Sequence, residues 1–540
     1  MLPDLKRVMT TNQHNPEEPA TKDSIAPISR WRLKSLVFIS GAVLMGLEMV
    51  GSRVLAIHFG SSIYVWGAII GIFLAALAGG YYAGGLAADR KPSFMLLNLI
   101  ALIAGCWLVL LPLYDNFIAR GIRSTNLGAR IEPLLATIVL FGGPSILMGM
   151  VSPFSVRLSA SALERIGNVA GRLYALSTLG SIAGTLVTAF WLVPMIGVNT
   201  ILKALGLALI VISLVGMPRS RASLKIVVPL LIVVLAGLLI KAPPFIPLRL
   251  DQHLLYDGDS AYHHIMVIDD DRSNNRMLLF DNYSQSIVSR TPPYESNSYT
   301  NSFQLAKIFN SHPKRVLFIG GGGAVGPRKL ISEDPDVKVD LVEIDPVVVQ
   351  LSYDYFHLTN NDRLRVYVED GRRFVRRAEE RYDLVVLDAF TVRAHMPFHL
   401  ATREFMQEIK DKLTPGGVFL ENVVSALDGS RSRILRSEYK TAASVFDSLY
   451  LFPRPYDFER GQAAPLPATR PRNVMLIALN GSEQWSAESI TKSARSLQEA
   501  GLVHTPTFLD DALNFYLGRL RTDDVPLLID NYAPIDTMAF

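Results

Sequence analysis

A run of glycines, Gly320–Gly323, sits directly behind the apolar stretch RVLFI and opens the pattern Gly321-x-Gly323-x-x-Gly326. Glycine is needed where the backbone takes unusual angles and comes close to a ligand. Glu343 follows 22 residues after Gly321, at the end of VDLVE. An acid at that distance can accept both hydroxyls of a ribose. Asp370-Gly371 closes the next apolar stretch, LRVYVED, and is placed to meet a nucleobase edge. Asp388 closes the fourth, YDLVVLDAF, at the mouth of the same crevice. Asp345 directly precedes Pro346 and is expected to cap the following helix. Four chemically useful positions in phase imply nucleoside binding.

The elements that must hold them alternate. Helical stretches such as PVVVQLSYDYF and GRRFVRRAEE separate the apolar strands, which predicts parallel pairing in a doubly wound, Rossmann-like α/β sheet. Ligands bind such sheets at the carboxyl ends of the strands, where the strand order reverses. Ahead of this, residues 262–268 and 276–280 read as two strands around the polar turn DDDRSNN, with Ser286–Ser289 extending the second. The expected soluble part is therefore a small antiparallel β-hairpin unit, 250–298, and a nucleoside-binding domain, 299–540. A Pro-rich linker, KAPPFIPLR at 241–249, precedes both.

Before the linker the composition is different. The 540-residue chain is too long for one core, with 49% hydrophobic and 19% charged residues and a mean hydropathy of +0.26. Residues 59–88, 93–114, 133–156 and 173–202 contain no Asp, Glu, Lys or Arg. Each run exceeds the roughly 20 residues a helix needs to cross the hydrocarbon. Leu36–Ile57 and Val198–Met217 add two more crossings, and Ile226–Ile240 is a short seventh candidate. The expectation is a multi-pass helical domain over 33–240, of six or seven helices, in a cell (inner) membrane. Residues 1–32 read as a polar, disordered tail, and the first apolar run starts too late and runs too long for a cleavable signal.

Lys and Arg fill the tail and every second connection, which puts the amino terminus in the cytoplasm. Six crossings would keep the soluble part there too; seven would put it outside. Glu48 and Arg53 lie in the first apolar run, and a structural role is preferred over a transport path. Gly/Ala-rich runs such as LSTLGSIAGTLV let helices pack closely. The one cysteine, Cys106, sits in an apolar setting that suits packing. A disulfide scaffold, general disorder and nucleic acid as the main partner are excluded by the cysteine count, the apolar content and a net charge of only +4.

The site residues, in their order, resemble the spermidine synthase (polyamine aminopropyltransferase) family over about residues 250–425. IGGGGAVGPRKL, LVEIDPVVV, VEDGRRF and YDLVVLDAF carry the likeness most strongly. Ser260-x-Tyr262-x-x-Ile265-x-Val267 looks like the family's opening strand, and Asp281-x-x-x-Gln285 like its second. The resemblance implies a Rossmann-like transferase domain behind a β-hairpin domain. The implied co-substrate is decarboxylated S-adenosylmethionine or S-adenosylmethionine itself, with no metal. It assigns the ribose to Glu343, the adenine to Asp370, the amino-acid-like tail to Gln285, and catalysis to Asp388. Self-association is also implied, because spermidine synthases are generally dimers or tetramers.

The chain departs from the family where the amine acceptor would bind. Gly323, Thr391 and Asn301 stand where the family has acids, and carboxylates are what a polyamine site needs. The variant DAF…Pro397-x-His399-Leu400-x-Thr402-x-Glu404-Phe405 resembles a subgroup of membrane-fused spermidine-synthase-like proteins. His399 or Glu404 could replace the lost base, although Glu404 also reads as an ordinary helix-surface charge. Arg372, Arg373, Arg376 and Arg377 read as a solvated face, with lipid headgroups as the alternative. Aminopropyl transfer to a small-molecule amine is the leading function. The alternatives are methyl transfer to a membrane-associated acceptor, or a non-catalytic nucleoside or polyamine sensor on a transporter-like helical domain.

Overall fold

The computed structural model describes residues 30–540 apart from 61, 129, 160–165, 219, 241–247, 282, 297, 391–395, 456–464, 519 and 539–540. Residues 1–29 of the expected tail, and 241–247 of the expected linker, lie outside the described residues. Arg30, Trp31 and Arg32 are already the first turn of a helix.

Among the described residues six helices are long and apolar enough to cross a membrane: α1 (Arg30–Phe59), α2 (Ile63–Arg90), α3 (Phe94–Leu113), α4 (Ile131–Ser159), α5 (Gly167–Met195) and α6 (Val198–Gly216). A seventh apolar helix, α7 (Arg221–Leu239), follows. Its length is not the deciding fact. Ser223 near its start touches Met95 near the start of α3, and Gly237 near its end lies against Leu110 near the end of α3. The two helices run parallel over the same depth, so α7 ends at the face of the helical domain opposite Arg30.

The Gly/Ala runs do bring backbones together. A methyl on Gly184 of α5 would lie 2.0 Å from the Ala42 carbonyl oxygen of α1, and one on Gly80 of α2 would lie 2.4 Å from the Ile146 oxygen of α4. Only glycine permits such contacts. Cys106 is buried in this packing, as expected.

The soluble part holds two sheets. The first has four antiparallel strands in sequence order, β1 (Gln252–Asp259), β2 (His264–Asp270), β3 (Asn275–Phe280) and β4 (Tyr283–Ser289). The expected pair is thus extended by one strand at each edge. Ser260–His263, read from the sequence as the start of a strand, is instead the turn between β1 and β2. Its backbone closes with Ser260 N–H donating to the His263 carbonyl at 2.8 Å.

The second sheet has seven strands in the order β10-β11-β9-β8-β5-β6-β7. β5 (Arg315–Ile319), β6 (Lys338–Glu343), β7 (Leu364–Val368) and β8 (Tyr382–Leu387) are the four expected strands, all parallel. β9 (Leu413–Ser425) continues the parallel set, and β11 (Arg472–Leu479) and β10 (Ser448–Pro453) add an antiparallel edge. Phe318, Leu341 and Val386 pack on one face, and Leu317, Val342 and Val385 on the other. Burial of both faces explains why these strands read as unbroken apolar runs. The chain leaves β5 toward β6 and returns on the other side at β8. The switch point therefore lies between Gly320 and Asp388.

Candidate active site

At that switch point the strand tips open into a crevice. Gln285, Gly321, Glu343, Asp370, Gly371 and Asp388 all line it. Gly323 and Gly326 do not: Gly323 (φ +53°) lies against Phe356 and Ser286, and Gly326 packs on Phe303 and Phe318. They shape the turn and seat its helix on the sheet.

The glycine turn is held from below. Gly321 N–H donates to Glu343 Oε2 at 2.9 Å, and Asp345 N–H donates to Glu343 Oε1 at 3.1 Å. Burial raises the Glu343 carboxyl above its ordinary range, and these two amides oppose the rise. Asp345 caps the helix Pro346–Tyr355 by accepting from Val347 N–H at 3.0 Å, as the sequence predicts. Asp370 likewise caps the helix Gly371–Arg377, accepting from Arg373 N–H at 2.9 Å, while its second oxygen meets His399 Nε2 at 3.0 Å. Burial pushes its pKa upward, but the Arg373 amide and His399 outweigh that and hold it below the usual carboxylate value.

Asp388 follows the last residue of β8. Its Oδ2 accepts from the Tyr299 hydroxyl at 3.1 Å and its Oδ1 from Asn422 Nδ2 at 2.8 Å. Burial pushes its pKa up to about 6; the two hydrogen bonds counter this and the Glu343 charge adds to it. Neither bonded partner is a cation. Both oxygens are fixed in place while the charge stays available for a proton.

The other acids nearby are engaged. Glu369 lines the crevice but pairs with Arg373 and Arg377, at 3.3 and 2.5 Å. Arg372 is buried and bonded to Glu408 and Asp530, and Arg376 also meets Glu408. Arg372 is thus not part of a solvated face, because two carboxylates hold it inside, while Arg373, Arg376 and Arg377 keep the exposed positions the sequence predicts. Glu404 accepts from Asp530 N–H at 3.0 Å outside the crevice, which leaves it the ordinary helix-surface role. His399 does line the crevice. Asn301 donates to the Ser296 carbonyl and does not line the crevice, and Thr391 lies outside the described residues.

Sequence reasoning missed four residues here. Tyr299 and Asn422 hold Asp388, and His263 stacks on Phe280 at 4.7 Å across the crevice wall. Tyr299 lies two residues before Asn301, and nothing in its neighbours marks it as a partner of Asp388. Asn422 lies within an apolar strand, where a lone buried amide was the available signal.

Residues 302–442 match the spermine/spermidine synthase domain. The polyamine aminopropyltransferase of Vibrio vulnificus is 38% identical over 153 residues, which cover 28% of this chain and 49% of that protein. The probable polyamine aminopropyl transferase of Bifidobacterium longum is 25% identical over 300 residues, 53% of this chain and 63% of that one. Among solved structures, a probable spermidine synthase from Corynebacterium glutamicum aligns with a TM-score of 0.39 and 20% identity, over 52% of this chain and 98% of that one. The chain spans about half to two-thirds of the length of these two curated relatives. The segment that matches the spermine/spermidine synthase domain holds the glycine turn, Glu343, Asp370 and Asp388 around one crevice, so the similarity falls on the candidate site itself.

Proposed function

We propose that the chain is a membrane-anchored transferase that takes decarboxylated S-adenosylmethionine and moves its aminopropyl group to an amine. The observation that carries this is Asp388, held at the switch point with a pKa pushed up to about 6 and, among the described residues, no cationic partner in its hydrogen bonds. The names of the curated relatives supply the reaction class. Gly320 has φ +84° and its Cα faces the Asp388 backbone, where a Cβ would lie 2.3 Å from the carbonyl oxygen, so glycine lets the first and fourth strand tips close up at the crevice. Glu343 and Asp370 flank that turn at the next two strand tips, for ribose and adenine, and Gln285 enters from the hairpin sheet.

The chemistry asks little of the protein beyond alignment. The amine nitrogen attacks the aminopropyl carbon bound to sulfur as the carbon–sulfur bond breaks. A neutral thioether nucleoside leaves, and the proton lost by the new ammonium passes to Asp388. Binding by calorimetry on the full chain in nanodiscs tests the donor. Decarboxylated S-adenosylmethionine is expected to bind at least tenfold tighter than S-adenosylmethionine. Binding of the carboxylated form alone would favour methyl transfer, and binding of neither would reduce the domain to a scaffold.

The anchoring also has a direction. The hairpin sheet meets the helical domain at Arg53 near the end of α1 and at Val198 at the start of α6. That face is opposite Arg30, Arg32, Lys34, Arg90, Lys91, Arg157, Arg172 and Arg221. The contact of α7 with α3 supports a seventh crossing, and with the basic face in the cytoplasm the soluble domain would then lie on the other side. A cysteine placed at Ser482 in a Cys106→Ser background is expected to react with a membrane-impermeant maleimide in intact cells. Reaction only after lysis would reverse the assignment.

A further inference from the structure

The turn Ser260–His263 is gripped from two sides. On one side, the Arg53 guanidinium of α1 donates to the Ala261 carbonyl, and Val198 N–H, the first of α6, donates to Asp259 Oδ2 at 2.8 Å. A carboxylate at a helix amino terminus is stabilised by the unpaired amides and dipole there. Ile57 of α1 packs beneath Met266 and Ile268 of β2. On the other side, His263 enters the nucleoside crevice, stacked on Phe280 with Nδ1 2.8 Å from Asp281 Oδ2.

The turn is stiff between these grips. Ser260 Oγ accepts from both Tyr262 and His263 N–H, at 3.0 and 2.9 Å. His264 lies between Asp259 Oδ1 at 2.7 Å and Asp257 Oδ1 at 3.1 Å, and its own N–H is held by Asp281. A displacement of α1 or α6 is therefore passed to the crevice wall through a few hydrogen bonds, with little slack to absorb it.

We propose that Arg53 and Asp259 are positioning residues for the nucleoside site, so that the ends of two apolar helices set one wall of the crevice. The helical domain is then part of the binding machinery and more than an anchor. This rests on the nucleoside-binding reading above.

The test uses the full chain in nanodiscs, with 5′-methylthioadenosine as the probe by calorimetry, and thermal unfolding measured in parallel. Arg53→Gln is expected to weaken binding about tenfold, and Arg53→Lys, which still donates to the Ala261 carbonyl, to restore it to within about threefold. Asp259→Asn keeps an oxygen for Val198 N–H but weakens the hold on His264, and is expected to weaken binding about fivefold. Hydrogen exchange of the 260–264 amides should rise in the two weakened variants and return to the native rate in Arg53→Lys. Unchanged affinity in Arg53→Gln and Asp259→Asn, with native binding intact, would overturn the inference alone. Lowered unfolding temperature with native affinity would do the same, because it marks a purely structural contact. Failure of the native chain to bind the probe would sink the underlying reading, and this inference with it.

Discussion

Asp388→Asn is expected to lower turnover by about 10²- to 10³-fold, the range associated with loss of one general base. Affinity for the donor should change by less than about threefold, because asparagine keeps the shape of the side chain and one oxygen for Tyr299 or Asn422. The pH profile supplies an independent reading. A carboxyl with a pKa near 6 is protonated, and useless as a base, at pH 5, and ionised at pH 7. In the native protein kcat/KM is thus expected to rise through about pH 6 and level off above pH 7, a limb absent from the variant. Single-turnover assays between pH 5 and 8 measure both. A native profile flat across pH 6, or turnover in the variant within about fivefold of native, would remove Asp388 from the reaction.

Gly320→Ala should be the most damaging single methyl in the soluble domain. Alanine at φ +84° costs about 1–2 kcal/mol in conformation alone. The added carbon would also lie 2.3 Å from the Asp388 carbonyl oxygen and 2.9 Å from Ala389 Cα, so strands β5 and β8 must part at their tips. Overpacking of that kind adds about 1–3 kcal/mol. A loss of about 2–5 kcal/mol in urea unfolding is expected, with nucleoside affinity down at least tenfold. Gly416→Ala separates the two causes: Gly416 has φ +75° but open space around its Cα, so only the conformational part should appear. Equal losses at the two positions would mean that the tip of β5 yields to the methyl group.

The central sheet was readable because both of its faces are buried. RVLFI, VDLVE and YDLVVL announce themselves as strands, the half-exposed edge strand LRVYV less so, and their polar ends fall together at the switch point. β1 was not readable. Its sequence, QHLLYDGD, is an edge strand with alternating exposure, and its acids serve His264 and the start of α6 and make no apolar pattern. The same holds for His263: nothing in YHHIMVI marks one histidine as a pocket wall and the next as the centre of an ion cluster. That difference comes from the boundary between them: His263 ends the turn, while His264 begins β2. Counting crossings from hydropathy stalled on the 15 apolar residues of Ile226–Ile240. The helix begins earlier, at Arg221, and its partner α3 fixes its depth.

Arg53 met a similar limit. Within an apolar run it reads as an oddity to be neutralised locally, and its partner, Ala261, lies 208 positions away. Contacts of that span leave no trace in local spacing.

Consider last where α7 delivers the crevice. Burial pushes the Asp388 pKa up to about 6, and on the sidedness proposed above the proton it takes from the amine is released to surroundings the cell does not buffer. Acidification of the medium by one or two units would then throttle the reaction directly, with no sensor or signalling step in between.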